Sequence, residues 1–465
     1  MMKKIIITGL FVLLVTFGFA QTVTVNSAGG GADYATVQAA LDAVRVDPAT
    51  PDVVNIIGGG PYDEIITITS PVTLQGFGYR PVLAVRLNAA SPSTANDGLV
   101  VNTSGDVSLN NLIVIPSRTS TPTDDGIQVQ PTTGTGLNLT MTDVLVCPNN
   151  GSDQPVTTDG LTLVDLTGAT VFGDDGMTLT SAAGIPVVAN FTRLISSQNR
   201  NGVGNDGFVI FPSGTAIGNS INFLEGCVAS FNNRIGIQWG GSGSIINVNG
   251  TKDNPVLVIG NGQGVASSGG LTIYNGTGTV NYCISHDNLS AGIAAFTSAT
   301  PAGSGLVSVT NSIIANNGRQ GIDSADASVG RPATFTITDT TLFNNTPDQI
   351  NNSSTVQGID ISNTILAGSG KTGINNTGNP ISINYSALVN AGPHALTTLT
   401  TGAGTTTIGA QVINADPEFI STNPTSSDFL DVVSLLYATA GTGGNPLKGG
   451  ADYVVITKSQ SWNIY

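Results

Sequence analysis

VTNSIIANNGRQGID, running from Val309 to Asp323, is the stretch that decides the fold. It reads as an alternating strand (Val309, Asn311, Ile313), a turn (Asn316, Asn317, Gly318) and a second strand opened by Gly321 and Ile322. The phrase recurs as LNNLIVIP from Leu109, MTDVLVCP from Met141, FLEGCVASFNNRIGI from Phe223 and VNYCISHDNLSAGI from Val280. It returns as ITDTTLFNN from Ile337 and ISNTILAGSGKTGI from Ile361. The glycine opening the second strand falls at Gly98, Gly126, Gly207, Gly236, Gly264, Gly292 and Gly321, mostly about 28 to 31 residues apart. Self-similarity at such a period marks a solenoid. Two short strands with Asx and Gly turns per period, and no helical spacing between them, predict an all-β, single-stranded parallel β-helix.

Composition agrees. The chain has 465 residues, which the repeat assigns to one elongated domain. Charged residues are 10% and aromatics 6%, but Ile, Val and Leu recur at strand spacing, unlike in a disordered chain. The formal charge of −15 repels phosphate backbones and excludes nucleic acid as a natural partner. Residues 1–20, with Lys3-Lys4, an apolar run from Ile5 to Phe19 and Gly18 and Ala20 before Gln21, read as a bacterial-type signal peptide. No later segment has the apolar length of a membrane span, so the expectation is a secreted or cell-surface protein. Cys147, Cys227 and Cys283 are too few for a disulfide framework. Cys227 and Cys283 share one register and read as stacked core thiols with a coil between them.

Along the chain, Asp33 precedes YATVQAALDAV, whose Val37, Ala40, Leu41 and Val44 mark one helix face. A short amphipathic helix suits the exposed backbone at the start of a β-helix. The expected division is 21–395 for the β-helix with this cap and 396–465 for a C-terminal segment that folds back over the last coil. ADYATVQAALDAV followed by VVNIIGGGPYDEIITITSPVTLQGFG resembles the opening of pectate-lyase-like and pectin-methylesterase-like β-helix proteins. The match rests on Asp33, Tyr34, Thr36, Val37, Gln38 and Ala40, then Gly60, Tyr62 and Glu64. The resemblance implies right-handed coils and carbohydrate as the partner. The tail ADPEFISTNPTSSDFL resembles the terminal segment of secreted members of that superfamily.

Acidic turns crowd the middle of the chain: Asp97, Asp124-Asp125, Asp159, Asp174-Asp175 and Asp206. Gly160 and Gly176 stand only 16 apart, so the coil count between 126 and 207 is open. From Arg234 onward the position two before the glycine turns basic, at Arg234, Arg319 and Lys371. Strands about 4.8 Å apart would stack these into one column, acidic first and basic later. A second column, Asn111, Asp143, Asn311, Asp339 and Asn363, reads as a structural ladder of turn-satisfying side chains.

Asp124, Asp125, Asp174, Asp175 and Asp206 form a candidate Ca²⁺ ligand set, because Ca²⁺ needs several oxygens. Asp-Gly turns that merely stack are the alternative. Paired aspartates also resemble the polygalacturonase-like hydrolases, where two carboxyls straddle the bond. Asp174 and Asp175 with Asp159 or Asp206 would supply them, but the His-Gly and Arg-x-Lys motifs of that family are absent. The segments that carry methylesterase activity are absent too. Elimination needs a base beside a uronate, with Arg200, Arg234, Lys252 and Arg319 as candidates, provided burial or neighbouring cations favour a neutral guanidinium. Asp175, Asp206 and Arg234 are the catalytic candidates. Arg200, Phe211, Phe296 and Arg319 are the substrate-binding candidates, both phenylalanines facing outward four residues after their glycine. The outer positions two after the glycine make a flat, weakly polar strip, without the strict Thr ladder of an ice-binding face.

Two readings follow. One is a secreted β-helix that binds extracellular polysaccharide, with Ca²⁺-assisted elimination as its chemistry. The other is a non-catalytic structural or adhesive surface protein.

Overall fold

The computed structural model describes residues 20–44, 51–78, 80–84, 97–115, 125–147, 161, 175–199, 205–212, 218–240, 244–262, 269–274, 277–296, 306–325, 334–353, 358–424, 426 and 430. Each coil contributes three strands. Thr277–Asn281, Cys283–His286 and Ile293–Phe296 pair in parallel with Leu306–Thr310, Ile313–Ala315 and Ile322–Ala325 of the next coil. First and second strands merge into one continuous sheet, and third strands form a second sheet of 12 among the described residues. This is a parallel β-helix. Alternation decides what each coil buries: Val307 and Val309 point inward and are fully buried, while Ser308 and Thr310 between and after them face out. No coil can bury its apolar face alone, so stacking supplies the core.

The helix α1 (Val37–Ala43) buries Val37, Ala40 and Leu41 against the first coils. Its pairing with the turn that follows explains the quoted motif. Glu64 accepts the amides of Val37 and Gln38 at 2.7 and 2.9 Å, closing the exposed start of the helix. Gln38 accepts the Thr67 amide at 2.7 Å and donates to the Thr67 carbonyl, acting as one more rung. Residues 1–19, most of the signal-peptide assignment, lie outside the described residues.

The Asn111, Asp143, Asn311, Asp339 and Asn363 column sits at the corner between first and second strands. Every member has a left-handed backbone, with φ between 46° and 58°. Asn and Asp tolerate that conformation better than other residues with side chains. At the next corner a second left-handed residue (Asp287, Asn316, Asn344) turns the following residue inward. There Asn199, Asn232, Asn261, Asn288, Asn317 and Asn345 form an interior ladder, all at most 2% exposed. Each Nδ2 donates to the Oδ1 of the next coil's asparagine at 2.8 to 3.0 Å. Each Oδ1 from Asn232 to Asn345 also accepts the backbone amide of the asparagine one coil before.

This ladder accounts for the glycine column from Gly176 to Gly321. A Cβ at Gly207, Gly236, Gly270, Gly292 or Gly321 would collide with the Nδ2 of the adjacent ladder asparagine and with the carbonyl of the coil above. The column is interrupted where the ladder ends and resumes one coil later at Gly373. At the position after Gly321 the chain carries Gln349, whose Oε1 accepts from Asn345 Nδ2 at 2.8 Å in place of another asparagine.

Three expectations change. Leu271 pairs with Ile237, so Gly270 rather than Gly264 opens that coil. Ile127 pairs directly with Met177, so one long coil joins them and the open coil count is settled, with Gly160 lying outside the described residues. The described coils also run past 395: Thr398–Thr401 and Thr406–Ile408 pair with the preceding coils. Threonine favours strands without making the apolar alternation by which coils are recognised, which is why this stretch reads as fading. Beyond it, Ile413, Phe419 and Leu430 pack on a second apolar seam, outside the core, against Phe343, Ala387 and Val389. His394, bonded to Asp416, stands edge-on to both Phe343 and Phe419.

Cys227 and Cys283 are both buried and free, separated by the rung of Val256. Burial pushes both thiols up to about 12. Alkylation by iodoacetamide at neutral pH is therefore expected to leave both unmodified in the folded protein and to label both after denaturation. Native-state labelling of either, read by mass spectrometry, would show that its rung opens.

Candidate functional site

Third strands begin at the glycine column, and the residue before each glycine in the first half is an aspartate. Asp97, Asp125, Asp175 and Asp206 occupy that place on successive coils. Each carboxylate turns along the stack and accepts the amide of its counterpart on the next coil. Asp97 Oδ1 accepts from Asp125 N at 3.0 Å, Asp125 Oδ1 from Asp175 N at 3.4 Å, and Asp175 Oδ1 from Asp206 N at 2.6 Å. Asp206 Oδ1 accepts from Ile235 N at 2.8 Å, and there the acidic run stops.

Arg234 closes the run. Its Nε donates to Asp206 Oδ1 at 2.8 Å and its Nη2 to Asp206 Oδ2, a two-pronged fork on a fully buried carboxylate. Nη2 also donates to Gln238 Oε1 at 2.8 Å. The Arg234 side chain is 33% exposed. The bonds to Asp206, opposed by burial and helped by the charges of Asp206 and Asp175, hold Arg234 well above the ordinary arginine range. Burial raises the Asp206 carboxyl, with the Arg234 fork opposing it. The condition for a neutral arginine base, burial or neighbouring cations, is not met at Arg234, because its neighbours are carboxylates.

Asp206 and Arg234 thus stand together, with Asp175 beside them. The expected single column, acidic then basic, is corrected. The described acids occupy the position before the glycine and Arg234 the one before that, reaching back one coil. Arg319 is exposed and three coils away from Arg234, so the two do not stack. Lys371 Nζ donates to Thr346 Oγ1 at 2.7 Å. Asp124, Asp174, Asp159 and Arg200 lie outside the described residues. Among the described residues no three His, Cys, Asp or Glu side chains converge as a metal-holding group.

The far end of the same strands carries aromatics. Phe211, Gly240, Tyr274 and Phe296 share one strand register, in which Phe211 and Tyr274 face outward. Phe211 is half-buried, and its ring lies over Gly240, where a Cβ would run into its Cε1. The bare backbone lets the ring lean across to Tyr274, with centroids 6.4 Å apart and planes 31° from parallel. Burial raises the Tyr274 phenol while Arg234 pulls it the other way, so the platform and the guanidinium share one electrostatic neighbourhood. Phe296 ends its strand in register with Tyr274, and its side chain falls outside the described set.

Sequence reasoning missed Tyr274, Gln238 and Gly240. Their signal lay only in the strand register, since the three are brought together by pairing across coils. It also missed two carboxyls further along the sheet, Asp323 and Asp348, both raised by burial. It missed Arg80 as well, a guanidinium pushed down to about 10 by burial; Arg80 donates to the Asp143 carbonyl at 2.7 Å, while Arg193 forks onto the Asp143 carboxylate.

No family model matches the chain. No curated protein matches it either. Among solved structures it is similar to the crystal structure of bacteriophage CBA120 tailspike protein 3, at 12% identity and a TM-score of 0.31 over 78% of this chain. The match spans 56% of that tailspike, little more than half its length.

Proposed function

We propose that this chain is a secreted or cell-surface protein that binds extracellular polysaccharide on the outer face of its third strands. The observation that carries the reading is the Phe211 ring laid over Gly240 beside Tyr274, with the exposed part of Arg234 and Gln238 at the other end of the same strands. Aromatic faces stack on the apolar faces of sugars, and a planar guanidinium and an amide supply hydrogen bonds at the edge. Kinship with the pectinase-like β-helix superfamily, a signal peptide and Phe296 as a further stacking position belong to the same proposal. So do Arg200 and Arg319 as outlying contacts.

The finer reading of this site is Ca²⁺-assisted elimination, with Asp124, Asp125, Asp174, Asp175 and Asp206 for the cation and Arg234 as base. The geometry supports binding over cleavage. Asp206 has both oxygens engaged, and the fork keeps Arg234 protonated where a base must be neutral. The structural or adhesive reading draws support from the aspartate run, whose carboxylates tie coil to coil through backbone amides.

The test uses protein from Gln21 onward, incubated with a panel of polysaccharides with and without Ca²⁺. Affinity electrophoresis reads binding, ultraviolet absorbance reads unsaturated uronates, and a reducing-end assay reads hydrolysis. Binding to at least one polymer is expected, weakened about tenfold in Phe211→Ala and Tyr274→Ala. Ca²⁺-dependent absorbance lost in Asp175→Asn would establish the lyase. Silence in every arm would leave the structural reading standing alone.

A further inference from the structure

The aromatic platform lies next to a guanidinium, and the charge balance around that guanidinium bears on which sugars the site takes. Arg234 is neutralised twice over: Asp206 is forked onto it, and the charge of Asp175 acts on it as well. One cation against two carboxylates leaves the neighbourhood negative, and Asp125 and Asp97 continue the acidic line below. The other described arginine and lysine of these coils, Arg193 and Lys252, sit at the corner between first and second strands, and Arg319 is three coils on. A uronate seeking Arg234 must compete with Asp206, and drawing the guanidinium away would strand a fully buried carboxylate without its partner.

What remains available at Arg234 and Gln238 is a set of donors. Arg234 Nη1 and Gln238 Nε2 make no hydrogen bond among the described residues, while the atoms next to them, Nη2 and Oε1, bond each other and fix both side chains. Such a pair presents N–H groups to hydroxyl or ring oxygens without presenting net positive charge. The Phe211 ring can lie over the backbone and reach Tyr274 because Gly240 has no side chain.

We propose that this site selects neutral glycans over polyuronates, with Arg234 and Gln238 donating to sugar oxygens and Gly240 setting the position of the Phe211–Tyr274 platform. The proposal rests on the polysaccharide-binding reading above and adds the class of polymer. It runs against the expectation from a pectinase-like opening, whose natural substrates are acidic.

The experiment is isothermal titration of the protein with a neutral β-glucan, a neutral galactomannan and polygalacturonate, each at low and high salt. Binding to at least one neutral polymer is expected, with polygalacturonate at least about tenfold weaker. The neutral affinity should change less than about twofold with salt, since no net ion pairing is formed. Gly240→Ala should weaken neutral binding about tenfold by displacing the Phe211 ring. Tyr274→Ala serves as the second variant if Gly240→Ala loses its native circular dichroism. Tighter binding of polygalacturonate, or a steep fall of affinity with salt, would overturn the selectivity while leaving polysaccharide binding in place. Absence of binding to all three polymers would overturn both.

Discussion

Asn261→Ala is expected to destabilise the middle coils by on the order of 4 kcal/mol. The side chain is fully buried and makes four hydrogen bonds. Its Oδ1 accepts from the amide and from Nδ2 of Asn232, at 3.2 and 2.9 Å. Its Nδ2 donates to the Ala229 carbonyl and to Asn288 Oδ1, both at 3.0 Å. Alanine strips the Asn232 amide and Nδ2 of their acceptor and the Ala229 carbonyl of a donor in a water-poor interior, while Asn288 Oδ1 keeps the backbone amide of residue 261. Each stranded group costs about 1 to 3 kcal/mol before relaxation. The outer asparagine Asn247 also donates to its neighbour, Asn222, at 2.8 Å, but solvent replaces that bond when it is lost. Asn247→Ala should therefore cost less than about 1 kcal/mol. Urea denaturation of the two variants side by side measures the contrast. Equal midpoints would mean that the interior ladder contributes no more than a surface one.

Arg234→Met is expected to cost about 3 to 5 kcal/mol at neutral pH, because it strands the Asp206 carboxylate in the interior. The sign of its pH dependence follows from the charge that is stranded. Without the guanidinium, only the Ile235 amide opposes burial at Asp206, and the folded pKa rises further above the unfolded value near 3.8. A carboxyl raised in the folded state loses stability as pH climbs from the unfolded value through the folded one. The variant should thus approach the parent in acid and fall away from it toward neutrality. Asp206→Asn in the Arg234→Met background removes the stranded charge and should recover much of the loss. Thermal unfolding across pH for the parent, single and double variants is the measurement. A pH-independent deficit would place the cost in lost packing instead of in the buried charge.

The repeat made the fold legible. Strand-opening glycines and the Asx turns before them recur visibly without any structure, and the alternation at Val307 and Val309 states which residues face in; the left-handed corner at Asn311 then shifts the phase, so that Ile314 joins the core and Ile313, expected in line with Val309, packs on the second seam. The α1 face was legible for the same reason. The interior ladder was not, although NN at Asn232, Asn316 and Asn344 recurs in plain sight. Asparagine is ordinary turn chemistry, and nothing in the sequence says that the residue after a left-handed corner points inward. The platform was hidden more deeply. Phe211 and Tyr274 meet only because an intervening coil offers Gly240 at the same register, and a glycine leaves no trace of what it makes room for. The pairing of Asp206 with Arg234 was legible as proximity. The fork, which decides whether that arginine is an acid or a base, depends on side-chain reach that spacing does not encode.

Unequal coils held in one register have a mechanical consequence. Successive third strands are joined by 50 residues from Ile127 to Met177, 29 from Phe208 to Ile237 and 24 from Ile350 to Ile374. Tension applied between the ends peels such a stack coil by coil, and each release frees one turn's worth of chain. At about 3.5 Å per residue, the shorter coils lengthen the molecule by roughly 80 to 100 Å and the long one by roughly 170 Å. The molecule is then a ratcheted tether whose steps are graded along its length, with its largest extension stored next to the acidic run.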